Sequence, residues 1–445
     1  MKHTPLQVGA ARIDITPKDA VELSGFAVRE QPCVGVLHPV SARAVVFDDG
    51  SIRIVMLSLE LLELPRDFAN QLRVEIAEQA GTDTQHVCLS CTHTHAAPAV
   101  AHLRGTGRPD DWYLAYLVEQ IKQVVRLAID RLSPSRLVSR ETPLRMGINR
   151  RASLRTDLGG PSGVEPTDQV LRSLAAIDDD GRVQFMALHH ACHPVCLGAA
   201  NRKISGDFCG IACNELEGRI DSDAVVIFLN GCAGDINPSV GMACSPQQTH
   251  EFAMQMLDAV SSLTFESSSD VNGVELVVRH QMIGLPYRPD TKAGLERKTA
   301  NLQQELAELS SADTQAVRWV TLQLDYYRDT LEASERNELP TTCEVPIQYM
   351  QLGPVNLLTL AGEVFYEIGQ QIKEQTQQPA LWTVAYANGG FGYIPTREAQ
   401  DEGGYEVDHA HCFYNQPRLE PAAADQLVRS SVALIESSRS SRTII

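Results

Sequence analysis

Short apolar runs, each closed by a polar loop, recur through the first half of the chain and again near its end. Ala44–Phe47, Ile52–Ser58 and Val87–Ser90 read as strands, and amphipathic stretches over Arg66–Gln79 and Trp112–Arg131 read as helices. Leu171–Asp178 and Val183–His189 form an expected hairpin through Asp179-Asp180-Gly181, followed by a helix over Phe208–Arg219 and a strand over Ala224–Leu229. Strands over Cys343–Gln351, Val355–Leu360 and Leu381–Ala387, with helices over Glu363–Gln375 and Ala422–Ile435, complete the pattern. The alternation predicts the α/β class: a mixed layered sheet flanked by helices, in one large domain or two smaller ones. Residues 291–337 depart from it, being nearly free of Gly and Pro. Leu302, Leu306 and Leu309, then Trp319, Leu322 and Leu324, predict a helical-hairpin insertion that serves as a structural arm rather than a lid.

Composition narrows the partners. Hydrophobic residues at 43% and charged residues at 21% are ordinary for a soluble globular enzyme. A net charge of -18 sets the chain against nucleic acid and anionic membrane surfaces, which would repel it. The sequence contains neither a transmembrane run nor a secretory leader pattern, and its 11 cysteines are odd in number and scattered, so a cytoplasmic location is expected. Assembly into homo-oligomers is left open.

Within Cys91-Thr92-His93-Thr94-His95, two histidines stand two positions apart. In an extended segment both would project to one side, where they could bind a metal, serve catalysis, or simply be hydrogen-bonded in a turn. The apolar runs supply a wider pattern. Val87–Ser90 leads to His93 and His95, Phe185–Leu188 to His193, Ala224–Leu229 to Asp235 and Asn237, Val355–Leu360 to Glu363, and Trp382–Tyr386 to Tyr393. Sites in open α/β sheets form beyond the carboxyl ends of strands, so these residues converge if the runs are neighbours in one sheet.

With these segments in view, the chain resembles the neutral/alkaline non-lysosomal ceramidase superfamily. Val8–Pro17, Thr92-His93-Thr94-His95, Gly147-Ile148-Asn149-Arg150, His193-Pro194 with Ile204–Phe208, Gly234–Pro238, Gly362-Glu363 and Gly392–Thr396 follow that family's order. The resemblance implies a zinc-dependent hydrolase that cleaves an amide or ester bond with zinc-activated water. It implies His93, His193, Glu363 and Tyr393 as zinc ligands, with His95 and Arg150 beside the scissile group. Asp207 and Asp235 are expected to orient ligand imidazoles, though Asp235 could equally cap a helix or close an Asx-turn. The family's catalytically discussed serine is replaced by Asn237, which makes a serine nucleophile there unavailable. The family's C-terminal β-sandwich is expected to be missing, and the resemblance implies residues 1–445 as a single catalytic domain. Aromatic residues make up only 6%, which points to a small polar or sugar-derived substrate. The alternatives are a true N-acylsphingosine amidohydrolase and a non-catalytic binding module of the same fold. Cys192, Cys196, Cys209 and Cys213 are expected in the core rather than on a metal.

Overall fold

A computed structural model describes residues 5–152, 154, 166–220, 223–263 and 274–440. The continuous apolar runs become strands buried on both faces, which is why they do not alternate with polar residues. The first sheet is built from β1 (Gln7–Asp14), β2 (Ser41–Asp48), β3 (Arg53–Leu59), β4 (Val87–Cys91) and β5 (Ser133–Pro134), in the order β4-β3-β2-β1-β5. Its pairs are antiparallel except β3 with β4. Helices α1 (Arg66–Ala80) and α2 (Asp111–Asp130) cover its outer face. On α2 that face is Tyr113, Leu117, Ile121, Val124 and Ala128, an apolar stripe at helical spacing.

The next stretch supplies β6 (Arg136–Pro143), β7 (Gly147–Asn149), β8 (Val170–Ile177), β9 (Val183–His190), β10 (Val225–Asn230) and β11 (Ile236–Pro238). The second sheet runs β10-β9-β8-β6, with β9 and β10 parallel, while β7 pairs separately with β11. Helices α3 (Asp207–Ile220) and α4 (Pro246–Ser261) pack on its outside. The third sheet takes β12 (Val277–Arg288), β13 (Thr342–Leu352), β14 (Val355–Leu360), β16 (Trp382–Val384) and β18 (Arg418–Leu419), in the order β16-β14-β13-β12-β18. A two-stranded ladder joins β15 (Glu363–Val364) to β17 (Tyr393–Ile394). Helices α5 (Lys292–Glu308) and α6 (Thr314–Glu335) form the arm, followed by α7 (Tyr366–Gln375), α8 (Arg397–Glu402), α9 (Ala410–Phe413) and α10 (Ala422–Ser440).

The inner faces of all three sheets meet in one core. Val45, Phe47, Ile54 and Met56 come from the first sheet, Phe185, Ala187, Ile227 and Leu229 from the second, and Met350, Leu357, Trp382 and Val384 from the third. The functional loops therefore leave three sheets and not one. Each sheet has a parallel pair, β3/β4, β9/β10 or β14/β16, and the loops following these pairs meet at one end of the shared core. Three hydrogen bonds lace that end: Ala385 N to Asn230 O at 3.0 Å, Cys91 N to Tyr386 O at 3.0 Å, and Asn230 Nδ2 to Thr92 O at 3.1 Å.

Two boundaries also move. The helix expected from Glu363 begins at Tyr366, because Glu363 and Val364 pair in register with Tyr393 and Ile394. The strand expected to reach Ala387 stops at Val384, since Tyr386 (φ 55°) and Asn388 (φ 57°) are left-handed. Every described cysteine is a free thiol, and all but Cys244 are buried. No described helix is long and apolar enough to cross a membrane.

Candidate metal centre

His93 is not extended: its φ is 70°, so the two-residue spacing does not act through strand alternation. Its N–H donates to Leu61 O at 3.0 Å, and its ring stacks on Tyr386 with centroids 4.2 Å apart. Nδ1 lies 2.9 Å from Leu62 O, and a carbonyl can only accept, so Nδ1 carries a proton. His193 is held the same way, with Nδ1 2.7 Å from Ala233 O. Nε2 is then the position that each ring leaves for a metal.

Those two atoms each lie 3.2 Å from Glu363 Oε2. The other carboxylate oxygen accepts from Tyr414 Oη at 2.5 Å. His93 Nε2, His193 Nε2 and Glu363 Oε2 are all buried without a hydrogen-bond partner. Three lone pairs facing one another in the interior repel unless a proton or a cation lies among them. Burial holds the His193 ring down at about 4, against the pull of Glu363, so it is neutral at physiological pH. The donor set, two imidazole nitrogens and a carboxylate, is one that zinc takes.

His95 sits beside this group, its ring 5.0 Å from that of His93 and 5.4 Å from that of His193. The three histidines offer nitrogens within 4.8 Å of one another. Both ring nitrogens of His95 are buried and unpartnered, and burial lowers its pKa well below the ordinary value. Tyr393 stands opposite Glu363 across the β15–β17 ladder. Burial and the Glu363 charge raise its phenol pKa, and Arg150 Cζ lies 5.4 Å from its ring centre. The Arg150 guanidinium is already engaged: Nε with Glu406 at 2.7 Å, Nη1 with Asn237 Oδ1 at 3.2 Å, and Nη2 with Gly234 O at 2.7 Å.

The expected imidazole-orienting acids are elsewhere. Asp235 accepts from Tyr366 N at 2.9 Å and Asn149 Nδ2 at 2.7 Å, tying the start of α7 to β7. Asp207 accepts from Phe208 N at 2.7 Å and Leu197 N at 3.3 Å. Backbone carbonyls orient both imidazoles instead, a role that no side-chain motif can announce. Tyr386 and Tyr414 were also missed; Tyr414 lies 51 residues from the carboxylate it binds, so only the fold relates them.

A cavity of about 570 Å³ opens onto His95, His193, Tyr393, Arg150 and Asn237. Its other walls are largely apolar: Phe26, Val28, Leu154, Met242, Trp319 and Phe413. Trp319 comes from α6, and its ring packs 4.9 Å from that of Phe413.

The fold and site together define a three-sheet α/β scaffold around a buried histidine–carboxylate group. The sequence profile of the neutral/alkaline non-lysosomal ceramidase N-terminal family matches residues 6–260. The chain belongs to that family. Its fold is similar to the neutral ceramidase from Pseudomonas aeruginosa, with a TM-score of 0.75 at 22% identity, covering 98% of this chain and 75% of that one. A ceramidase complexed with C2 gives the same TM-score of 0.75 at 19% identity, over 98% of this chain and 76% of that one. No curated protein matches the chain.

Proposed function

We propose that the protein is a zinc-dependent hydrolase of an acyl amide or ester, with His93, His193, Glu363 and Tyr393 holding the metal. The observation that carries this is the convergence of three unpartnered lone pairs at 3.2 Å spacing in the interior. Bound there, zinc would supply Lewis acidity, lowering the pKa of a coordinated water to about 7 and polarising the substrate carbonyl.

The chain's own groups do the rest. Leu62 O and Ala233 O fix the tautomer of the two imidazoles, and Tyr414 steers the Glu363 carboxylate by binding its Oε1. His95, neutral and unpartnered at both ring nitrogens, can take a proton from the attacking water and then pass it to the leaving amine or alcohol. Arg150, braced by Glu406 and Asn237, places positive charge beside the Tyr393 phenol and the cavity. Asp235 and Asn237 act as positioning residues, one anchoring α7 and the other Arg150. The apolar walls favour an acyl chain over the small polar or sugar-derived group expected from composition.

Metal analysis tests the reading directly. Purified protein should contain about one zinc per chain. Chelation should abolish acyl-amide hydrolysis, and zinc add-back should restore it. His93→Ala should lose metal and turnover together; an active, zinc-free variant would overturn the assignment.

A further inference from the structure

A second cleft, of about 560 Å³, adjoins the apolar chamber, and Val28 and Met242 belong to the walls of both. Its chemistry is different, because Arg29, Arg202, Gln31 and Gln315 line it. Its one carboxylate, Glu30, is 3.2 Å from Arg318. Among the described residues, Arg202 donates to Pro32 O, from Nε at 3.3 Å and Nη2 at 2.8 Å, and has no acidic partner.

Arg29 is stranger still. It is only 6% exposed, yet no carboxylate pairs with it among the described residues. Nη1 bridges the carbonyls of Ser24 at 3.0 Å and His95 at 3.1 Å, while Nε and Nη2 have no partner. Burial without a counter-ion pulls its pKa down to about 10. Its Cζ lies 5.2 Å from the Phe26 ring centre, so the charge has a π face beside it but no counter-ion. In a chain with 56 acidic against 38 basic residues, two guanidiniums lacking an acid in one cleft mark a place where negative charge arrives from outside.

We propose that this cleft binds a carboxylate on the substrate, with Arg29 and Arg202 as its recognition residues. The chamber holds the acyl portion, and His95, whose carbonyl Arg29 grips and whose ring faces the chamber, lies at the junction. The substrate class is then an N-acyl amino acid or the corresponding O-acyl hydroxy acid. Cleavage adds water across the acyl C–N or C–O bond, releasing a fatty acid and the free amino or hydroxy acid. The substrate assignment rests on the hydrolase reading; the anion site does not.

The test separates the two. Calorimetry on the zinc-loaded full chain compares decyloxyacetate with decyloxyethanol, neither of which has a scissile acyl bond. The carboxylate should bind about tenfold more tightly, as expected for charge-assisted hydrogen bonds. Arg29→Met and Arg202→Met should each remove most of that preference and leave decyloxyethanol binding unchanged. Arg202 is partly exposed, so its variant remains informative if Arg29→Met folds poorly, and its effect excludes simple capture of the carboxylate by zinc. Equal affinity for the two probes, or a preference that survives in Arg202→Met, overturns the anion site. Turnover of N-decanoylglycine should exceed that of N-decanoylethanolamine in kcat/KM by a similar factor. Equal turnover overturns the substrate class but keeps the hydrolase, whereas carboxylate-selective binding with neither compound cleaved sinks the hydrolase reading alone.

Discussion

His95 separates two ways of using the same three imidazoles. Its nitrogens lie within ligand reach of those of His93 and His193, yet Glu363 and not His95 sits 3.2 Å from both. We assign it the proton-transfer role, so His95→Ala should retain stoichiometric zinc and lose about 10²–10⁴ in kcat. Loss of zinc in that variant would make His95 a ligand. Tyr414 acts at one remove, through its 2.5 Å bond to Glu363 Oε1. Tyr414→Phe should weaken zinc affinity by roughly 10–100-fold while leaving the fold intact, measured by competition with a chelator of known affinity. At this scale the sequence displayed the donors but not their tautomers. Leu62 O and Ala233 O, which decide where the protons sit, belong to backbone that any residue could supply.

At the scale of elements, the helical arm is anchored to the site. Arg318 on α6 donates from Nε to Ala27 O at 2.5 Å and from Nη2 to Gly105 O at 3.0 Å, clamping the helix beside the Phe26–Val28 wall. That attachment fixes Trp319 as one end of the apolar chamber. Trp319→Leu should extend the acyl length accepted, improving kcat/KM for longer chains by roughly fourfold for each methylene newly buried. An unchanged chain-length profile would show that the arm plays no part in selection. The heptad-like leucines made the two helices legible. What the arm touches was not, because Trp319 meets Tyr405, His409 and Phe413 only through folding. The boundary at Glu363 was missed for a related reason: helical propensity continues through it, and a two-residue ladder with Tyr393 overrides that preference.

Across the whole molecule, burial of imidazoles outside the site makes stability depend on pH. His189, bonded to Leu229 O at 3.0 Å and stacked on Trp382, is held down at about 3 by burial and then by the charge of Arg172. His411 is held at about 3 by burial and by Arg418. Since these folded-state values lie below the unfolded value near 6.5, the unfolded chain binds protons first as the pH falls. Their stabilisation is therefore complete above about pH 6.5 and is lost progressively toward pH 3, by about 1.4 kcal/mol per pH unit for each ring. The thermal midpoint of His189→Asn should therefore fall less between pH 7 and pH 5 than that of the parent chain. Identical pH dependence in the two would contradict the burial argument.

The amino-acid order by itself determined the α/β class, the places where apolar runs end and chemistry begins, and the residue types available to a metal. These follow from local periodicity and from the identity of side chains, which a linear chain carries in full. The arrangement of three sheets around one core, the left-handed His93, the carbonyls that select its tautomer and the two arginines without an acidic partner among the described residues were decided only on folding. Each depends on groups far apart in sequence sharing a low-dielectric interior, where an unmet lone pair or charge is costly enough to dictate what must come to meet it.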